Sequence, residues 1–155
     1  MKNMKISLLL VLITITIFSC NQTSSKTTES NVKAPIDILI SNWENSWNKH
    51  DSAGVRNMFL ADAVLIDDNL VTTNAAEISE KWIHPNINVV SNLTSTKLQE
   101  WSSSDRAGYT GKYEFAAIVN DSIVAKPTGF YSVNWKKTVQ GDWKITSAVI
   151  HSFKK

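Results

Sequence analysis

Few of the 155 residues are of types that do chemistry, and their spacing narrows the set further. The histidines stand at 50, 84 and 151, no two at the spacing of metal ligands on one helix, and there is one cysteine, Cys20. A disulfide framework and a Cys-rich zinc or iron–sulfur site are excluded, and neither a metal nor a cofactor is expected. No glycine-rich phosphate loop, G-x-S-x-G elbow or H-E-x-x-H pair occurs. What remains is a carboxylate and an imidazole. Alternation over 63–67 places Ala63, Leu65 and Asp67 on one strand face, with Val64, Ile66 and Asp68 on the other. A carboxylate beside apolar residues has its pKa raised and can act as a general base. The plainer reading of Asp67-Asp68-Asn69 is a solvated turn after a strand. His151 lies on the last strand, in phase with Trp143, Ile145 and Val149. If that side is concave, His151 is a general acid or base near Asp67; otherwise it is a rim histidine. His84, beside Pro85, closes a helix, and His50 sits in an exposed turn.

Binding is the second chemistry available. Six tryptophans in a domain of about 122 residues are more than a small core commonly uses. Trp43 and Trp47 lie one helical turn apart, Tyr109 and Tyr113 share a strand face, and Tyr131 and Trp135 share another. Such rings combine flat apolar area with a polar tip, which suits planar or sugar-like ligands. Trp43, Trp47, Tyr113 and Trp135 are the candidate ligand contacts; packing between helix and sheet is the alternative for each.

The elements that must position these groups can be read from periodicity and caps. Ile36, Ile40, Trp43 and Trp47 form one stripe of an amphipathic helix opened by Pro35. Asp51 caps a short second helix with Val55, Met58 and Phe59 facing inward. A strand over 63–67 follows. Asn74 and Glu77 form a capping-box-like start for a third helix with Ile78, Trp82 and Ile83 on its apolar face, and Pro85 ends it. Residues 92–101, 107–119, 128–139 and 143–153 read as strands rich in β-branched and aromatic residues. The break Gln140-Gly141-Asp142 reads as a tight hairpin turn. Helices first and antiparallel strands after make an α+β domain over 34–155, its helices on one face of a curved sheet.

Ahead of the domain, Lys2 and Lys5 precede an apolar run over 6–18, too short to span a ~30 Å hydrocarbon core. The run ends in Ile17-Phe18-Ser19-Cys20, which resembles the bacterial lipobox, with Phe18 bulkier than usual at its position. The resemblance implies a lipoprotein signal peptide over 1–19, acylation of Cys20 by palmitate-like chains, and a membrane anchor in the bacterial cell envelope, periplasmic or at the outer membrane. An ordinary secretory signal with an incidental cysteine is the alternative. The stretch 21–33 is nearly all polar with no apolar periodicity, so 20–33 is expected to be a lipidated cysteine and a flexible tether. The Asn-x-Ser/Thr triplets at Asn21, Asn92 and Asn120 mean nothing in such a protein. The whole chain is 43% hydrophobic, 19% charged and +2 in formal charge, which excludes a wholly disordered chain and gives no reason to expect nucleic acid. Without Lys2 and Lys5 the 16 basic residues become 14, against 14 acidic ones.

The run Trp47-Asn48-Lys49-His50-Asp51 through Phe59-Leu60-Ala61-Asp62-Ala63 resembles the "N-x-x-D … F-x-x-D-A" stretch of the nuclear transport factor 2-like superfamily. Gly141-Asp142-Trp143-Lys144-Ile145 resembles its closing "G-x-W-K-I" hairpin. That superfamily includes ketosteroid isomerases and SnoaL-like cyclases. The resemblance implies a cone of three N-terminal helices on a strongly curved antiparallel sheet, with an apolar pocket at its open end. It places Asp67 where the isomerases have their catalytic base. It also puts Trp43 where they have an oxyanion-donating tyrosine, and no second protonated carboxylic acid can be located, so steroid isomerisation is not expected. The expectation is a lipid-anchored SnoaL-like domain that binds a small, partly apolar ligand. One alternative is a small enzyme of isomerase, cyclase or hydrolase type with Asp67 as base and His151 assisting. Another is a homodimer or partner-docking module.

Overall fold

Helix α1 (Ile36–Asn48) starts after Pro35 and buries the stripe Ile36, Ile40, Trp43 and Trp47. The computed structural model describes residues 33–153; the expected signal, Cys20 and the tether up to residue 32 lie outside the described residues. The Asp51 carboxylate caps α2 (Ser52–Asn57) by accepting from the Gly54 N–H at 2.8 Å, and Val55 is fully buried beneath it. Phe59 is buried as expected, but as the first residue of strand β1 (Phe59–Asp67), which starts four residues earlier than the sequence suggests. Asp68 and Asn69 turn the chain into β2 (Leu70–Thr72), Asp68 taking a left-handed φ of 43°.

The third helix, α3, begins as Ala75–Ile78, passes through a π-helical turn at Ser79–Ile83 and closes with His84–Asn86. Asn74 caps it through a 2.9 Å bond from the Glu77 N–H, while the Glu77 carboxylate accepts from the Thr73 N–H. Pro85 does not end this helix. It sits within the last turn, and the wider π turn just before it is a common way to absorb such a local irregularity. Among the described residues no helix is long and apolar enough to cross a membrane.

Strands β3 (Val90–Ser102), β4 (Arg106–Val119), β5 (Ser122–Ala125), β6 (Thr128–Lys137) and β7 (Trp143–Ser152) complete one seven-stranded sheet. Its order is β2-β1-β7-β6-β4-β3, with β5 paired to the end of β4 through a two-residue turn, Asn120-Asp121, in which both residues have positive φ. The expected antiparallel sheet is in fact mixed, because β1 runs parallel to β7. The two are joined by no hairpin: all of β2 to β6 lies between them, which is the separation a parallel pair needs. Register shifts within β1, twice within β3, and between β6 and β7 bend the strands, so the sheet curves strongly around α1 and α3. Its concave face presents Leu65, Tyr109, Tyr131, Val133, Trp135, Ile145 and Ala148, which form one core with the helical stripes.

The motif pair Asn48 and Asp51 thereby has a physical role in the fold. While Asp51 caps α2, the Asn48 amide accepts from the Leu93 N–H at 2.6 Å and donates to the Leu93 carbonyl at 3.0 Å. Two bonds to one backbone position clamp the end of α1 onto β3. His50, with φ 55° in the α1–α2 turn, bonds the Ile87 carbonyl through Nδ1 at 2.6 Å and ties that turn to the end of α3.

Candidate functional site

Asp67 ends β1 on the concave face, in line with the buried Ala63 and Leu65, as alternation requires. Its Oδ2 accepts a 2.6 Å hydrogen bond from the Trp82 indole N–H of α3. Oδ1 receives none from any described residue. Burial holds this carboxyl above the usual carboxylate range; the Trp82 bond opposes that shift, and the neighbouring Asp68 charge adds to it.

Around the carboxyl lies a cavity of about 270 Å³. Trp43 and Trp47 of α1 and Trp82 of α3 form one wall, and Tyr113 and Phe115 of β4 with Tyr131 of β6 form the other. The rings are packed against one another. Trp43 stacks on Trp82 at 5.9 Å between centroids, Trp47 meets Trp82 edge-on at 5.0 Å, and Tyr113 stacks on Phe115 at 6.0 Å. Their polar tips are mostly engaged. Tyr113 shares a 2.9 Å bond with Ser152, and Tyr131 donates to Ser95 at 2.9 Å. Burial raises the pKa of both phenols, so both stay neutral donors. The Trp47 indole N–H is buried without an acceptor. Gly129 gives Tyr113 its place, since a Cβ there would run into the phenol and the His151 carbonyl.

A second cavity of about 230 Å³ lies on the other side of Trp43 and shares Tyr131 and Ile150 with the first. Leu39, Met58, Val133, Trp135, Trp143 and Ile145 enclose it. Trp135 therefore stands apart from Trp47 and Tyr113, which line the cavity of Asp67, while Trp43 borders both cavities.

His151 does not join Asp67. Its Nδ1 lies 2.8 Å from Asp68 Oδ1, and its ring packs on Phe130 at 5.4 Å, on the sheet face opposite Tyr131 and Ile150. The expected phase fails at one residue. Between the pairs Trp135–Ile145 and Asn134–Ser147 the register shifts, so Thr146 is an extra residue in β7. Ile145, Ala148 and Ile150 then face the concave side, and Val149 and His151 the other. Sequence reading also passed over Trp82, Phe115 and Tyr131 as site residues. Trp82 looked like an ordinary member of a helical apolar stripe, and only its indole N–H, which needs an acceptor when buried, pointed to a polar partner. Among the described residues no three His, Cys, Asp or Glu side chains converge as a metal site would need.

No protein-family pattern matches the sequence, and no curated protein resembles it significantly. Solved structures do resemble it. A ketosteroid isomerase-like protein from Erwinia carotovora atroseptica superposes with a TM-score of 0.67 at 14% identity, covering 77% of this chain and 95% of its own. A nuclear transport factor 2-like superfamily protein from Salmonella enterica gives 0.65 at 18% identity, over 77% and 89% of the two chains. A protein of the same fold and unknown function from Shewanella oneidensis gives 0.64 at 18% identity, over 75% and 95%. At these identities the likeness shows the fold: the chain has the nuclear transport factor 2-like architecture, a strongly curved mixed sheet wrapped by a few helices.

Proposed function

We propose that the protein is a lipid-anchored, SnoaL-like binding domain of the bacterial cell envelope that takes a small, partly apolar ligand into the cavity beside Asp67. One observation carries this reading: six aromatic rings surround about 270 Å³ of space in which the half-buried Asp67 carboxyl keeps one oxygen free. Trp43, Trp47, Tyr113 and Trp82 supply flat apolar area, and Asp67 fixes the ligand's polar end. Trp135 belongs to the neighbouring cavity and would contact only a ligand long enough to pass Trp43. The anchor rests on Ile17-Phe18-Ser19-Cys20 after its short apolar run.

The test is ligand titration read by tryptophan fluorescence, since three of the six tryptophans line the cavity. Small aromatic and alicyclic compounds are expected to quench the emission and raise the melting temperature. A ligand at a hundred times its Kd adds about 2.7 kcal/mol of stability. Filling the cavity with Leu93→Trp should abolish both effects while leaving cooperative unfolding. If no member of such a panel changes either signal at millimolar concentration, the binding reading is wrong.

The raised pKa of Asp67 supports a second reading, in which it abstracts a proton or activates water, oriented by Trp82. In that reading Asp67 works without His151. Its test is turnover: an activity on any bound compound that survives unchanged in Asp67→Asn removes the base from the mechanism.

A further inference from the structure

The charge of the cavity is more selective than its shape. Of its fourteen lining residues none is lysine, arginine or histidine, and two are aspartates. His151 stands on the opposite face of the sheet with its Nδ1 2.8 Å from Asp68 Oδ1, and it makes no contact with Asp67. Asp67 has only the Trp82 dipole on Oδ2, with Oδ1 open. A carboxylate drawn out of water into such surroundings is unfavourable until a positive charge reaches it. An anion entering here meets carboxylates and no lysine, arginine or histidine in the lining. The walls point the same way, because the faces of aromatic rings attract cations through their quadrupoles, tryptophan most strongly.

We propose that the ligand is an organic cation, an alkyl- or aryl-ammonium ion seated between the tryptophan wall and the Tyr113–Phe115 wall with its charge against Asp67 Oδ1. The proposal rests on the ligand-binding reading above and names the charge class of what binds. Its apolar substituents occupy the ring-lined space, which is too small for a folded partner and ample for a substituted ammonium head. No bond is made or broken; the aspartate supplies Coulomb attraction and the rings replace the water the ammonium group sheds.

Matched pairs that differ only in nitrogen or carbon at the centre isolate the charge. The full chain is titrated with choline and 3,3-dimethylbutan-1-ol, and with benzyltrimethylammonium and neopentylbenzene, following tryptophan emission and heat. The expected result is that each cation binds at least about tenfold more tightly than its neutral twin. In Asp67→Asn that ratio should fall towards one. Because the comparison is already decisive in the unaltered protein, it holds even if the variant folds poorly. Neutral twins binding as tightly as the cations would overturn the charge assignment and leave the ligand-binding reading standing. If no member of either pair binds, the charge assignment falls, and the neutral panel described above decides whether the binding reading falls with it.

Discussion

Two opposing pulls act on the Asp67 proton: burial and Asp68 hold it on, and the Trp82 N–H draws it off. Burial is the larger, so the folded pKa lies above the ordinary carboxyl value of 3.8. A carboxyl with a raised folded pKa binds its proton more tightly in the native state than in the unfolded one. Its cost to stability is absent below the unfolded pKa, grows as pH rises through the folded pKa, and is complete above it. Asp67→Asn is therefore expected to be more stable than the parent at pH 7, with the gain shrinking towards pH 3.5 in parallel urea titrations. Asp68 and Tyr113 are the other titratable groups beside this carboxyl, and they are common to both proteins. The tryptophans separate in the same assay. Trp82→Phe removes a bond to a carboxylate and should cost about 1.5–3 kcal/mol beyond lost packing. Trp47→Phe removes a buried N–H with no acceptor, so it should cost less than Trp82→Phe.

At the scale of elements, the placement of Asp67 depends on clamps that never touch it. Asn48 holds α1 to β3 through both the N–H and the carbonyl of Leu93. Asn48→Ala leaves those two groups unpaired at a partly buried site and should lower stability by about 1–3 kcal/mol. It should also weaken ligand binding, since α1 carries Trp43 and Trp47. Gly129→Ala tests the sheet side of the cavity. Its Cβ meets the backbone of β7 as well as the Tyr113 ring, and overpacking of this kind costs about 1–3 kcal/mol. Circular dichroism with denaturant measures both. These elements also mark how far the sequence could be read. The α1 stripe, the Asp51 and Asn74 caps and the four long strands follow from periodicity and short-range bonds, which one stretch of chain specifies alone. The start of β1 does not, because Phe59 pairs with Ile145 of β7, distant in sequence; β2 and β5, three and four residues long, are too short to show a period of their own.

For the molecule as a whole, the N-terminal residues and the folded domain make separate predictions. If Cys20 carries the anchor, Cys20→Ser should move the protein from the membrane to the soluble fraction, or leave its signal uncut, without altering the melting temperature of the domain. Fractionation and mass determination of the mature N-terminus check both. Within the domain, the sequence by itself determined the α+β order, the core stripe of α1 and the inward face of Asp67, since these depend on local periods and on residues that cap their own helix. It also carried the motif pair Asn48 and Asp51, whose bonds the fold explains. Only the tertiary structure decided that Trp82 is the partner of Asp67, that Trp135 lines a different cavity, and that β1 runs parallel to β7. The same holds for His151. Strict alternation predicts its side chain on the face of Ile145, and a single extra residue at Thr146 turns it to the other. Alternation is a local rule, and a bulge is chosen by how two strands twist against each other and the helices they enclose.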